Sequence, residues 1–129
     1  MKRLILIFFL ITGLSFSQEQ EKKEAPWNVM YPEFMADEAA EYFDEFNLLF
    51  SEDSPIASKE ARLVAVAVSA AIRCEYCITA QVHSAKMAGA TDDEIKAAIQ
   101  IAAEIQRFST LLYGNDFGIE RLEKILGVN

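Results

Sequence analysis

Apolar residues recur at helical spacing along most of this chain, and short polar runs divide them into segments. The first such segment covers residues 33–50, where apolar positions lie three or four apart with carboxylates between them. This pattern predicts an amphipathic helix whose apolar face is largely aromatic, and we interpret that face as a core or subunit contact. Its apolar positions are Met35, Ala39, Tyr42, Phe43, Phe46, Leu49 and Phe50.

Four more helices are predicted after the polar break that follows this segment. The second runs from Ser58, a good N-cap residue, to about Ile72, and its body, residues 63–72, is apolar on every side, as expected of a central buried helix. The third carries both cysteines and ends at Gly89. The capping-box sequence Thr91-Asp92-Asp93-Glu94 opens a long fourth helix that Gly114-Asn115 ends. The short closing helix has its apolar residues at Ile119, Leu122, Ile125 and Leu126. The predicted fold class is therefore all-α, with about five helices.

The N-terminal region has the pattern of an exported protein. In residues 1–17 two basic residues precede an apolar run, and Ser15-Phe16-Ser17 resembles a signal cleavage site. The apolar run is shorter than the roughly 20 residues of a transmembrane helix, so we expect no membrane attachment after cleavage. Residues 18–26 form a polar tether that is expected to be disordered, and residues 27–129 form one domain. The domain is thus expected to work outside the cytoplasm, where disulfides persist.

The charge balance limits the partners of this domain. The full chain has 20 acidic and 12 basic residues, a formal net charge of −8, and loss of residues 1–17 makes it −10 because two basic residues go with them. Nucleic acids and anionic membrane surfaces are therefore not expected as partners, since the electrostatic interaction would be repulsive.

The only two cysteines stand in the sequence Cys74-Glu75-Tyr76-Cys77. A disulfide that closes so short a loop would stabilise the fold by only about 2 kcal/mol, so the pair indicates chemistry more than scaffolding. The free N–H groups of a first helical turn also favour a thiolate. A closed zinc site needs four ligands, which two cysteines and the single histidine do not supply, so neither a metal nor another cofactor is expected.

The cysteine motif and its surroundings resemble the carboxymuconolactone decarboxylase superfamily, in particular its AhpD-like alkylhydroperoxidase branch. The similar residues are the apolar run 65–72 leading into Cys74-Glu75-Tyr76-Cys77-Ile78, then Ala85, Gly89-Ala90-Thr91 and Glu94-Ile95. The resemblance implies an all-helical AhpD-like domain, a mainly bacterial origin and hence a periplasmic or secreted location. It also implies assembly into trimers or hexamers, and a cysteine pair that reduces peroxides or passes electrons as a dithiol.

Two positions depart from the pattern of the peroxidase members. These members place a glutamate twelve residues before the first cysteine and a histidine four residues after the second, which together relay a proton for the reactive thiol. The corresponding residues here are Arg62 and Gln81, neither of which acts as a general base at neutral pH. His83 lies near Gln81 in sequence but about 120° from Cys77 around a helix, so it is expected to face solvent or a subunit interface.

Four residues are therefore the possible modulators of the pair: Arg62, Gln81, Glu75 and His83. Arg62 could favour a thiolate by its charge or form a structural ion pair. Glu75 would oppose a thiolate unless it points to water. Which cysteine attacks stays open, because the helix dipole favours Cys74 whereas the relay of the family serves the second cysteine.

Three functions remain, and the first is favoured. It is a thiol enzyme in which Cys74 and Cys77 cycle between dithiol and disulfide, acting on hydroperoxides or protein disulfides and reduced by an unidentified dithiol donor. The second is decarboxylation of a small carboxylated lactone, which leaves the cysteine pair unexplained. The third is a catalytically degenerate oligomeric helical module with a permanently closed disulfide.

Overall fold

The computed structural model describes residues 26–128, and every regular element in this range is helical. The described residues divide into two units, one ending at Ala40 and the other beginning at Glu41. The described part of the first unit has 3-10 turns at Pro26–Met30 and Glu33–Met35 before α1 begins. The five helices are α1 (Ala36–Leu48), α2 (Ser58–Ala71), α3 (Glu75–Met87), α4 (Asp92–Gly114) and α5 (Ile119–Leu126). The all-α prediction with five helices is thus confirmed.

The predicted signal (1–17) and residues 18–25 of the predicted tether lie outside the described residues. The last residue of that tether, Pro26, begins the first 3-10 turn. None of the helices in residues 26–128 combines the length and the apolar character that crossing a membrane requires.

Three helices have boundaries that differ from the predicted ones. The first predicted helix starts as a 3-10 turn and stops at Leu48, so Phe50 lies in the following turn. Ala57, with extended backbone, is the N-cap of α2, and Ser58 is its first helical residue. Cys74 precedes α3 as its N-cap, which leaves only Cys77 inside the helix. Such shifts arise because periodicity locates the apolar face of a helix but not the residue at which its backbone dihedral angles change.

The core lies where α2 packs against both α3 and α4. Its buried cluster joins Val66 of α2 with Ala85, Ala90 and Ile95, and Val66 is fully inaccessible. Small residues at two of these positions let the helices approach closely, because interiors fill to crystal-like density. The central position predicted for α2 is therefore confirmed.

One face of α2 is nevertheless open to solvent. Val64, Val68 and Ile72 recur every four residues, so they form a stripe, and their side chains are 54–65% exposed. An apolar stripe of this kind on a helix that is otherwise the centre of the fold marks a surface suited to a further partner.

The end of α2 is closed by a Schellman motif. The N–H of Cys74 donates to the carbonyl of Ser69 and the N–H of Arg73 donates to that of Ala70, each at 3.1 Å. This arrangement satisfies carbonyls that the last turn leaves without helical partners. It also requires a left-handed residue, and that residue is Arg73, with φ of 56°.

The end of α3 has the same motif with a glycine at the equivalent place. Ala90 donates to Ala85 at 2.9 Å and Gly89 donates to Lys86 at 3.0 Å. Gly89 adopts a φ of 87°, which glycine reaches without the steric cost that a Cβ brings. The two helix ends therefore differ mainly in which residue type occupies the left-handed position.

We expect Arg73→Gly to stabilise the protein by about 1 kcal/mol, because it removes the cost of a left-handed L-residue. Gly89→Ala should destabilise it by a similar amount, about 1 kcal/mol. A Cβ at Gly89 would meet no atom within 4 Å, so that cost is one of backbone alone. Urea unfolding of the oxidised proteins measures both changes. A neutral or destabilising Arg73→Gly would mean instead that the Arg73 side chain offsets its backbone strain.

The start of α4 has the predicted capping box. The N–H of Glu94 donates to Thr91 Oγ1 at 3.2 Å, and the N–H of Thr91 donates to Glu94 Oε2 at 2.7 Å. Glu94 Oε1 also pairs with Lys59 Nζ of α2 at 2.7 Å, which ties the first turns of the two helices together. The hydrogen bond from Lys59 and those from Thr91 lower the pKa of Glu94 to about 2.

This lowered pKa predicts acid sensitivity. The folded state holds Glu94 ionised below its ordinary pKa of 4.5, so its contribution is complete above pH 4.5 and is lost as pH falls toward about 2. The stability difference between wild type and Glu94→Gln should therefore shrink across that interval. Denaturant midpoints measured at a series of pH values test this, and a difference that does not vary with pH would contradict it.

Candidate redox site

Cys74 and Cys77 form a disulfide at the N-terminus of α3, with their Cα atoms 5.2 Å apart. Cys74 has extended backbone and caps the helix, and its Sγ accepts the N–H of Cys77 at 3.2 Å. A sulfur thus occupies the place that a serine or aspartate oxygen takes in other N-caps. On reduction, a thiolate at Cys74 would meet an N–H donor and the positive end of the helix dipole.

The two residues inside the motif point to solvent. Tyr76 is 90% exposed and Glu75 is also exposed, whereas Cys74 and Cys77 are both half-buried. Glu75 therefore keeps its carboxylate in water, where its repulsion of a nearby thiolate is weak. The sulfurs lie at the surface of the domain rather than within its core.

Backbone contacts fix the turn that presents the pair. The N–H of Cys74 is bonded to Ser69, as described above, and the carbonyl of Cys74 accepts the N–H of Ile78 at 2.8 Å. Ser69 itself is buried, and its hydroxyl donates to the carbonyl of Ala65 at 2.6 Å. From α4, Gln106 Nε2 donates to the carbonyl of Ala71 at 2.7 Å. No local pattern in the sequence specifies this contact of Gln106, because it joins residues 35 positions apart.

The two residues at the relay positions contact each other. Arg62 of α2 donates through Nη1 to Oε1 of Gln81 on α3 at 3.1 Å. Its guanidinium also lies over the ring of Phe50, with Cζ 3.5 Å from the ring centroid. Burial lowers the pKa of Arg62 from its ordinary value, although a guanidinium stays protonated at neutral pH. The two relay positions are therefore in contact, but they hold a cation and an amide in place of a glutamate and a histidine.

The structural ion pair, one of the two alternatives for Arg62, is not among the contacts of the described residues. The four ion pairs between described residues are Lys59–Glu94, Lys86–Asp92, Lys96–Asp93 and Arg107–Glu104. Phe50, which the sequence assigned to the aromatic face of the first helix, is the contact in place of a carboxylate. No signal in the sequence links Phe50 to Arg62, because their contact depends on the turn between α1 and α2.

His83 lies on α3 with an exposed side chain, as its helical angle predicts. It is two residues beyond Gln81, so the two side chains leave α3 in different directions. Within residues 26–128, no three His, Cys, Asp or Glu side chains converge in a way that could hold a metal ion.

The disulfide and the Arg62–Gln81 contact share the same face of one helix. Cys77 and Gln81 are four residues apart on α3, a spacing that brings Cβ atoms within about 5–6 Å of each other. The described site can therefore do thiol chemistry at a helix N-terminus, and Gln81, one turn from Cys77, contacts a cation. It offers no general base at the two positions where peroxidases of the family that this chain resembles have a glutamate and a histidine.

A bacterial protein of similar sequence gives a first comparison. The chain is 33% identical over 63 residues to "Uncharacterized protein 4 in cox locus" of Paracoccus denitrificans, an alignment that covers 49% of this chain. The chain spans 57% of the length of that relative. No solved structure matches the chain.

A family profile covers more of the chain. The profile of the Carboxymuconolactone decarboxylase family matches residues 37–115, a range that contains all of α2, α3 and α4, almost all of α1, and both cysteines. Together with the all-helical fold and the disulfide at the start of α3, this match shows that the chain belongs to the carboxymuconolactone decarboxylase family.

Proposed function

We propose that this protein is a thiol–disulfide oxidoreductase that cycles Cys74 and Cys77 between dithiol and disulfide. The observation that carries the proposal is the position of Cys74 as the N-cap of α3, where its sulfur accepts the N–H of Cys77. A thiolate there is stabilised by a hydrogen bond and by the helix dipole, so the reduced pair holds a nucleophile at neutral pH.

The reaction is a two-electron exchange between dithiols and disulfides. The Cys74 thiolate attacks one sulfur of a substrate disulfide, forms a mixed disulfide and releases the other half as a thiolate. Cys77, after losing its proton to solvent, then attacks Sγ of Cys74 and releases the second half. The substrate is reduced to two thiols, and the protein is oxidised to the Cys74–Cys77 disulfide. A dithiol donor restores the reduced protein by the same steps in reverse.

Disulfides are better substrates for this site than peroxides. Peroxide reduction in the related enzymes depends on a glutamate and a histidine that move a proton, and Arg62 and Gln81 occupy those two positions here. Exchange with a disulfide needs no such relay, because its leaving group is a thiolate of modest basicity. Lactone decarboxylation also requires a titrating base, and no observation at this site favours it.

The test is stopped-flow oxidation of the reduced protein by a small disulfide, and separately by an alkyl hydroperoxide, with mass spectrometry following Cys74 and Cys77. We expect fast, cysteine-dependent exchange with the disulfide and a much slower reaction with the peroxide. Fast peroxide consumption would replace the proposal with a peroxidase that works without the usual relay. A disulfide that dithiol reductants cannot open would instead indicate the non-enzymatic module.

We also propose that the protein assembles with copies of itself. The exposed stripe of α2 lies beside a second exposed set on α4, formed by Ile101, Ile105 and Phe108, and Val64 and Ile101 line one surface groove. Soluble monomers rarely expose a contiguous apolar surface that extends over two helices as this one does. In a symmetric oligomer the same surface of each copy is covered at once, and the family resemblance points to trimers or hexamers.

Val68→Asp should dissociate this assembly, because it places a charge in the middle of the apolar stripe without entering the core. Light scattering coupled to size-exclusion chromatography measures the mass of the particle. Thr79→Asp, at an exposed position of α3, serves as the matched control and should leave the mass unchanged. A wild-type protein that elutes as a monomer would refute the proposed assembly.

The proposed location is outside the cytoplasm. The pattern of residues 1–17 supports it, and an oxidising compartment would hold the pair as a disulfide between turnovers. The mass of the protein recovered from its own cells tests this, because removal of those residues is expected.

A further inference from the structure

The guanidinium of Arg62 is a half-buried cation, and its hydrogen-bond partner Gln81 lies one helical turn from Cys77. Of its five N–H donors, one is directed at Gln81, and one face of its plane is covered by Phe50. No carboxylate among residues 26–128 pairs with it. A cation that is partly withdrawn from water and has no counter-ion among the described residues is costly, and a bound anion would remove that cost.

The position of this cation relative to the sulfurs follows from α3. Gln81, which holds Arg62, is one helical turn beyond Cys77, and the disulfide lies at the first turn of the same helix. A ligand with an anionic group a few bonds away from its sulfur can therefore reach Arg62 while that sulfur reaches the cysteine pair.

The chemistry of the guanidinium selects the class of anion. Its planar fork matches a carboxylate, and partial burial strengthens the interaction relative to bulk water. The rest of the protein is acidic, with a formal net charge of −8 for the full chain, so long-range attraction does not bring anions to this site. Any preference for an anionic substrate must then come from a local group.

We propose that Arg62 makes the cysteine pair selective for disulfides that carry a carboxylate close to the sulfur. This inference rests on the proposed thiol–disulfide exchange and names its substrate class. Where the related peroxidases have a proton-relay base, this chain would have a residue that recognises the substrate. Gln81 and Phe50 act as positioning residues, since they hold the guanidinium by a hydrogen bond and by its stacked face.

The experiment uses three symmetric disulfides that differ in charge: 3,3′-dithiodipropionate, bis(2-hydroxyethyl) disulfide and cystamine. The reduced protein is mixed with each in turn, and the ratio of the rate constants for the anionic and neutral disulfides is the readout. A purely structural role of Arg62 would change both rates together and leave this ratio unaltered. Wild type is compared with Arg62→Gln, Arg62→Lys and the control Arg73→Gln, which removes the same charge from an exposed arginine next to Cys74.

We expect the ratio to fall about tenfold in Arg62→Gln, the loss of roughly one charge-assisted hydrogen bond, and to fall less in Arg62→Lys. Arg73→Gln should keep the wild-type ratio, and cystamine should gain in rate when Arg62 is neutral. An unchanged ratio in Arg62→Gln, or an equal fall in Arg73→Gln, would overturn the selectivity while leaving the exchange activity in place. Failure of the wild-type protein to react with all three disulfides would overturn the exchange activity itself, and the selectivity with it.

Discussion

Cys77→Ser should leave a protein that attacks a disulfide substrate and then stops, with the substrate half bound covalently to Cys74. The sulfur of Cys74 caps α3 and receives the N–H of residue 77 whether that residue is cysteine or serine, so its thiolate stays stabilised. Without a second thiol, the mixed disulfide has no internal route to release. Mass spectrometry should find the adduct in stoichiometric amount and no further turnover.

Cys74→Ser should have the opposite defect. Serine is a good N-cap, so the start of α3 should keep its hydrogen bond, and the loss of stability should not exceed the roughly 2 kcal/mol that the disulfide contributes. The remaining Cys77 lies inside the first turn and lacks the capping position, so its reaction with iodoacetamide at neutral pH should be roughly tenfold slower than that of Cys74 in Cys77→Ser. A faster reaction of Cys77 would indicate that Cys77 is the attacking thiol, and equal rates would contradict the preference for Cys74.

The double substitution Arg62→Glu with Gln81→His should create peroxidase activity. The two side chains already contact each other at 3.1 Å, so a glutamate and a histidine at these positions would be close enough to share a proton one turn from Cys77. A well-placed general base accelerates proton transfer by about 10²–10⁴-fold, and we expect a gain toward the lower end of that range. The consumption of cumene hydroperoxide by the reduced variant measures it.

The two single variants are the controls for this gain. Arg62→Glu lacks the base, and Gln81→His lacks the carboxylate that orients it, so each should stay close to the wild-type rate. Loss of the Arg62–Phe50 stacking should lower stability by about 1 kcal/mol in any variant of residue 62, which thermal unfolding can check. A double variant that folds yet reduces peroxide no faster than wild type would mean that the contact between these positions is not enough to form a relay.

Local signals in the sequence were sufficient for much of the fold. The capping box of Thr91 and Glu94 is a contact between near neighbours, so four letters of sequence specify it. Gly89 marks the end of α3 for the same reason. The end of α2 gives no comparable signal, because Arg73 adopts there a left-handed conformation that its residue type does not favour. The strain at that position becomes visible only once the backbone is known.

The residues of the candidate site could be predicted from the sequence, whereas most of the contacts between them could not. The cysteine pair and the two relay positions follow from spacing along the chain and from the family resemblance. The hydrogen bond between Arg62 and Gln81 spans 19 residues and depends on how α2 packs on α3. Phe50 and Gln106 enter the surroundings of the pair from outside those two helices, and neither carries a mark in the sequence that assigns it there.

Cys74 belongs to two local structures at once, and this has a kinetic consequence. Its peptide N–H closes the end of α2, its carbonyl belongs to the first turn of α3, and its sulfur is the part that the proposed redox cycle would change. The hydrogen bonds of those peptide groups do not involve the sulfurs, so we expect them to persist when the bond between the sulfurs breaks. We therefore expect oxidation and reduction of the pair to require little rearrangement of the surrounding protein. The encounter with each substrate, rather than a conformational change, is then expected to limit the rate of turnover.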